Sequence, residues 1–281
     1  MNEIHRTRQV TQECEREFDQ MTEGLLQELW DYRDLFYFLA WRDVKIRYRQ
    51  TALGVAWAIL QPLLATVVFT FLFGSVAKMP SDGIPYALFA FSAMLPWTYF
   101  STSISTAANS LVGNAQLIRK VYFPRMAIPV AAILACMPDF AVGLVILSVM
   151  MAYYHGPLSW KFVFWPLLLM QLTALTTGIG LILGALNVRY RDVKHAMPFA
   201  IQILFFLSPI IYPASMIPKR YRFLISLNPL TGIIETMRSA LFSNRPINLQ
   251  LFGISLALTV AILAIGARYF RRAERAFADM I

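Results

Sequence analysis

The chain has 281 residues, of which 58% are hydrophobic and 15% charged, with a net charge of +9 and a mean hydropathy of +0.55. Soluble domains carry about 25% charged residues, so the composition excludes an ordinary soluble enzyme and places the chain in a membrane. Cys14 and Cys136 support no disulfide framework, and His5, His155 and His195 are too dispersed to form a metal site.

Residues 1–24 form a polar tail with both signs of charge and no apolar core of a cleavable signal. Residues 25–50 interleave Leu25, Leu29, Trp30, Phe36, Leu39, Trp41, Val44 and Tyr48 with charged side chains, which predicts an amphipathic helix in the interface plane. Its last turns, "WRDVKIRYRQ", abut a long uncharged run. Two readings of these cations stand. They anchor anionic headgroups, at about 1 kcal/mol each, or Arg42, Arg47 and Arg49 offer a phosphate-bearing substrate the bidentate geometry of guanidinium.

Residues 51–281 read as a transmembrane domain with spans near 54–76, 84–106, 127–152, 163–187, 196–214 and 248–268. Each run supplies the roughly 20 apolar residues that a helix needs to cross about 30 Å of hydrocarbon. None alternates apolar and polar residues as the strands of a barrel do. The expected fold is therefore all-α and integral to the membrane, with six spans, the interfacial helix and a short outer helical segment.

Basic residues cluster in alternate loops. Arg42, Lys45, Arg47 and Arg49, then Arg119, Lys120 and Arg125, then Arg189, Arg191 and Lys194, then Arg268, Arg271, Arg272 and Arg275 fall on one side. The short loops opposite hold Lys78 and Lys161, and the long connection 215–247 is the exception on that side, with Lys219, Arg220, Arg222, Arg238 and Arg245. The rule that basic loops stay inside predicts both termini in the cytoplasm. The positive charge is thus a matter of topology, with no nucleic-acid partner implied.

Between spans two and three, "NAQLIRKVYFPR" places apolar side chains around Arg119 and Lys120, a pattern of either a docking surface or a loop packed on its own bundle. Asp139 is expected near the middle of the third span, where a bare carboxylate costs at least about 2.5 kcal/mol. With no second ionisable group in any span, an interhelical hydrogen bond suits it better than a proton relay. Gly180 and Gly184 form a small-xxx-small pair suited to close helix packing. After span five, "SLNPLTGIIETMRSALF" has Asn228 as N-cap and Pro229 at the first helical position. It reads either as a helix at the outer interface that dips into the membrane or as a surface tether.

Aromatic residues are abundant in the spans. Those facing a water-filled path, drawn from Trp57, Phe69, Trp97, Tyr99, Phe100 and Tyr212, would suit the C–H faces of sugar rings, and Gln61 beside Pro62 adds a polar group to the first span. No nucleotide-binding glycine loop, nucleophile–base arrangement or metal cluster is present in the sequence, so no catalytic residue or cofactor is assigned to this chain.

Taken together, "RDLFYFLAWRDVKIRYRQTALGVAWAILQPLL", "LIRKVYFPRMAIP", Asp139-Phe140, "NVRYRDVKH", "LSPIIYP" and "LNPLTGIIETMR" make the chain resemble the membrane subunit of type-2 ABC transporters that export O-antigen, capsule or teichoic acid. The resemblance implies a homodimer in the bacterial plasma membrane, bound by two copies of a separate ATPase that carries ATP and magnesium. The substrate would be a lipid-linked polysaccharide. It also implies a coupling helix over Asn114, Gln116, Leu117, Ile118, Arg119, Lys120, Val121 and Tyr122, a path lined by spans one, two and five with Gln61-Pro62 as a break in a lining helix, and outer gate helices after span five. Rival readings are an ABC exporter of a drug or lipid and an ion-coupled secondary transporter, which would need coupling-ion residues near the midplane.

Overall fold

Prolines and the lengths of the apolar runs set where the helices start and break. The structure is a computed structural model that describes residues 32–49, 54–120, 123–156, 159–190, 192–243, 246–274 and 277. The expected tail, the first part of the amphipathic segment, and Val121 and Tyr122 lie outside the described residues, as do the side chains of Arg49 and Trp57. The helices are α1 (Arg33–Arg49), α2 (Gly54–Phe69), α3 (Tyr86–Gly113), α4 (Ala115–Lys120), α5 (Ala127–Leu134), α6 (Met137–Tyr153), α7 (Trp165–Arg189), α8 (Val193–Leu207), α9 (Lys219–Ser226), α10 (Pro229–Leu241) and α11 (Leu249–Glu274). Helices α6, α7 and α10 each carry a proline in their first positions, where the missing N–H has no intrahelical role.

Ala127–Tyr153, Trp160–Arg189 and Leu249–Glu274 are long and apolar enough to cross a bilayer by length and composition. Leu60–Val76 and Val193–Leu207 are shorter apolar helices. Helix α3 has 28 residues, a rise of about 42 Å, and its second half is diluted by hydroxyl and amide side chains from Ser101 to Asn114. Helix α2 runs unbroken through Pro62. Its irregularity comes later, as a π-helical stretch over Thr70–Val76, so the break expected at Gln61-Pro62 is corrected to that stretch.

The third span is also not one straight rod. It breaks at Ala135-Cys136 between α5 and α6. Helix α6 alone has 17 residues, a rise of about 26 Å that nearly covers the hydrocarbon. Asp139 sits in the first turn of α6, just after the break and close to the middle of the stretch Ala127–Tyr153, the position expected for it.

Helix α3 is the hub, packed against α2, α5, α6, α7, α8 and α10. Small residues allow the closest crossings. Gly180 of α7 faces the Cβ of Ala107 and Gly184 faces the Ala107 carbonyl, both on α3. A different face of α7 meets α11, where a Cβ on Gly266 would lie 2.3 Å from the Gly178 carbonyl oxygen. Gly232 of α10 similarly abuts Ser255 of α11. The Ser255 hydroxyl donates to the Pro229 carbonyl at 2.8 Å and accepts from Gln171 Nε2 at 2.9 Å, which ties α10, α11 and α7 at one point.

The α7–α11 crossing has no slack. Gly266→Val should force the two backbones apart and lower stability by about 1–3 kcal/mol, read as a lower unfolding midpoint in detergent, whereas Gly253→Ala, whose Cβ meets nothing within 4 Å, should leave the midpoint unchanged.

Candidate functional site

One end of the bundle is built by α1, α4 and α5 with the ends of α7 and α11. Helix α1 runs alongside α5 in the same direction. Phe36 and Leu39 join Ala127, Ile128 and Ala131 in a buried cluster that also takes in Leu111, Ile118, Phe123 and Phe270. Further along, Arg47 Nη2 pairs with Asp139 Oδ2 at 2.6 Å, Arg47 Nη1 donates to Cys136 Sγ at 3.2 Å, and the Tyr48 hydroxyl donates to Asp139 Oδ1. Burial, then the bond to Asp139, pushes the Tyr48 phenol above its ordinary range, so it remains a donor at physiological pH. The carboxylate also lies in the first turn of α6, on the favourable side of the helix dipole.

Asp139 thus has ionisable partners from outside the spans, on the interfacial helix. The same pairing answers for the phosphate reading of two arginines. Arg47 is held by Asp139, and Arg42 donates to Asp43 Oδ1 at 2.8 Å and to Asn114 Oδ1 at 2.9 Å. Both charges are neutralised inside the chain. Lys45 stands 5.6 Å over the Trp41 ring, and Tyr37, Phe38, Trp41 and Ile46 are exposed along the outer side of α1, as an interface helix requires. Beside Arg42, an open cavity of about 410 Å³ is lined by Asp43, Ser105, Thr106, Asn109 and Asn114. Its donors and acceptors suit hydroxyl groups better than a phosphate.

The expected coupling segment is a turn at Asn114 followed by the single helical stretch of α4. Ile118 is buried in the cluster with Phe36 and Phe123, and Leu117 packs against it. Gln116, Arg119 and Lys120 are exposed. The helix therefore grips its own bundle by one face and presents a basic, polar face outward.

At the other end, α10 is buried along almost its whole length, so the surface-tether reading of this segment is corrected. Its anchor is Arg238, 0% exposed. The guanidinium donates to the carbonyls of Pro209 at 2.7 Å, Ile210 at 2.9 Å and Phe89 at 3.3 Å, pairs with Glu235 at 2.9 Å, and lies 3.8 Å over the Phe89 ring. Pro209 and Pro213 end α8 and leave a non-helical turn whose carbonyls need donors. Arg238 serves two of them, the Tyr86 hydroxyl serves Ile211 at 2.7 Å, and Asn228 Nδ2 reaches the Ser208 hydroxyl at 3.0 Å. Sequence reasoning counted Arg238 among loop cations. The signal it carried was Glu235 three residues earlier on an amphipathic helix whose N-cap, Asn228, accepts from Leu230 N as expected.

The residues expected to line a path do not form one surface. Phe69 and Trp97 meet around Phe205, with ring centroids 5.9 and 5.3 Å from it. Tyr99 and Phe100 are buried at 3% and 1% exposure. Tyr99 bonds Thr173 at 3.1 Å and stacks edge-on against Phe140, so its ring fills the interior of the chain. Tyr212 is half-buried and donates to the Phe206 carbonyl at 3.0 Å. Gln61 is exposed. It lies on an exposed stripe of α2 with Leu60, Leu64, Val67, Val68 and Phe71, and α8 exposes Phe199, Ile203, Phe206 and Leu207.

The chain belongs to the ABC-2 type transporter family, whose model matches residues 34–242. That match runs from α1 to the end of α10 and so takes in both ends just described. The chain is 29% identical to the O-antigen export system permease protein RfbA of Klebsiella pneumoniae over 88% of this chain and 95% of that protein. It is also 29% identical to RfbA of Myxococcus xanthus, over 92% and 99% of the two chains. The polysialic acid transport protein KpsM of Escherichia coli is 26% identical over 84% and 92%. The protein is a membrane-embedded transport component.

Two outcomes follow from these contacts. Asp139→Ala alone should destabilise more than Asp139→Leu combined with Arg47→Met, because the single change strands a guanidinium; a double-mutant cycle of unfolding midpoints should give a coupling of about 1–3 kcal/mol. Arg238→Met should expose α10 and the turn after α8 to proteolysis, since the carbonyls of Pro209 and Ile210 lose their donors, while α7 and α11 stay protected.

Proposed function

We propose that this chain is the permease subunit of an ABC transporter that carries a lipid-linked polysaccharide, O-antigen or a similar glycan, outward across the bacterial plasma membrane. The observation that carries the proposal is the near full-length similarity to proteins named for O-antigen export and polysialic acid transport. Two copies of the chain work with two copies of a separate ATPase, which binds ATP and magnesium and supplies the energy. Both termini lie in the cytoplasm, as the distribution of Lys and Arg between loops supports, so the end carrying α1 and α4 faces the ATPase.

The exposed face of α4, with Gln116, Arg119 and Lys120, is the docking face, and Ile118 and Leu117 transmit its displacement to α1 and α5 through the buried cluster. The exposed stripes of α2 and α8 face the second copy across the path. Gln61 on that stripe supports this reading, since an amide left in hydrocarbon costs free energy that a water-filled path or a partner would relieve. ATP binding shifts a two-state bundle toward an open path, and the polymer slides past weak, repeated contacts. The substrate's phosphates meet the basic cytoplasmic end, where Lys45 has no carboxylate partner among the described residues.

The test is co-purification of the tagged chain with its candidate ATPase, followed by ATP hydrolysis and glycan export in reconstituted vesicles. A two-plus-two complex that hydrolyses ATP and exports glycan is expected. Arg119→Glu with Lys120→Glu should leave the chain folded and cut ATPase capture at least about ten-fold, the loss of roughly 1.4 kcal/mol. Undiminished capture would remove α4 as the docking element.

A further inference from the structure

The end of the molecule away from α1 holds a second cavity, of about 580 Å³, between α9, α10 and the start of α11. That volume is in the range of sites for small molecules, about 300–1,000 Å³. One wall is α10. Thr231, Glu235 and Ser239 recur there at four-residue spacing and share a face, with Thr236 beside them. Thr231, Thr236 and Ser239 are 2%, 6% and 7% exposed. Their hydroxyls have no hydrogen-bond partner among the described residues, nor has the Gln250 amide on α11. A buried polar atom is almost always paired; Thr231 Oγ1 is buried and has no partner among the described residues, and the hydroxyls of Thr236 and Ser239 and the exposed Gln250 amide line the same space.

We propose that this cavity is a binding subsite for an uncharged saccharide unit of the transported glycan; the proposal rests on the polysaccharide reading above and narrows it. Hydroxyls and an amide match the donor and acceptor pattern of sugar hydroxyls. Phe223, Leu251 and Ile254 complete the lining with apolar surface for the C–H faces of the ring. Among the described residues of the lining, the charged side chains, Asp82 and Glu235, are carboxylates. Arg238, the cation next to Glu235, is turned to the carbonyls of Phe89, Pro209 and Ile210. An anionic sugar would meet carboxylates with no cation among the described lining residues, so the subsite as described favours uncharged units over acidic ones. The position also has a mechanical consequence. A ligand on this face of α10 sits beside Glu235, which holds Arg238, which holds the turn that ends α8.

The experiment uses the full-length chain in lipid nanodiscs and saturation-transfer NMR with maltotriose, mannotriose and chitotriose, with sialyllactose as the anionic comparison. At least one neutral trisaccharide should bind, and sialyllactose should bind at least ten-fold more weakly. Thr236→Val, Ser239→Ala and Gln250→Leu together should weaken binding by about ten-fold, as expected when hydrogen bonds worth about 0.5–1.5 kcal/mol each are removed, and Thr236→Ser should retain it. Absence of binding by all three neutral sugars, equal binding of sialyllactose, or unchanged affinity in the triple variant would overturn the proposal. So would native mass spectrometry in which the wild type retains a phospholipid that the triple variant loses, which would assign the cavity to lipid. Glycan export by the same wild-type preparation with its ATPase is measured in parallel. Export without saccharide binding sinks the subsite alone, and absence of export sinks the polysaccharide reading itself.

Discussion

A guanidinium cannot be placed in a low-dielectric interior unless its donors find acceptors, and a helix cannot be broken inside a membrane unless its carbonyls find donors. In this protein the two demands meet at Arg238. The side chain is wholly buried, and the acceptors it finds are the carbonyls released where Pro209 ends α8. Each feature makes the other tolerable. The arrangement fixes α10 inside the bundle, and with it the short polar segment before it and the start of α11 through Ser255 and Pro229.

The opposite end applies the same physics with a different chain segment. Asp139 starts α6 at a break in the third span, and Arg47 and Tyr48 reach it from α1. An interfacial helix is thereby bolted to a membrane-embedded one. The apolar cluster around Phe36, Leu39 and Ile118 adds α4 to the same unit. The cluster packs α4 against the root of the third span, and the hub helix α3 runs from that unit to Phe89, whose ring and carbonyl contact Arg238. The molecule has polar locks at both ends of a closely packed apolar middle, where Gly178 and Gly266 bring α7 and α11 into backbone contact.

Much of this was legible in one dimension. Composition and uncharged runs gave an all-α membrane protein, because hydrocarbon demands about 20 apolar residues per crossing. The N-cap Asn228 with Pro229 announced α10 correctly, since capping is decided within a few residues. The six motifs, read in order, pointed to the family that the match over residues 34–242 shows. Aromatic residues were harder. Trp97, Tyr99 and Phe100 are consecutive or nearly so, and an apolar ring gives no sign in sequence of whether it packs inward or faces a path; Tyr99 and Phe100 pack inward.

The sequence alone determined the class of solvent, the helical content, and the local starts and stops, because these depend on the chemistry of neighbouring residues. Pairings between distant residues belonged to the tertiary structure. Arg47 and Asp139 lie far apart in the chain, as do Arg238 and Phe89, and nothing local to either partner specifies the other. Only packing α1 along α5, and α10 beneath the turn that ends α8, turned cations that looked like loop charges into locks between helices, half-buried at Arg47 and fully buried at Arg238. The same packing gathered hydroxyls spaced along α10 into the wall of one cavity, since burial and direction are properties of the assembled bundle.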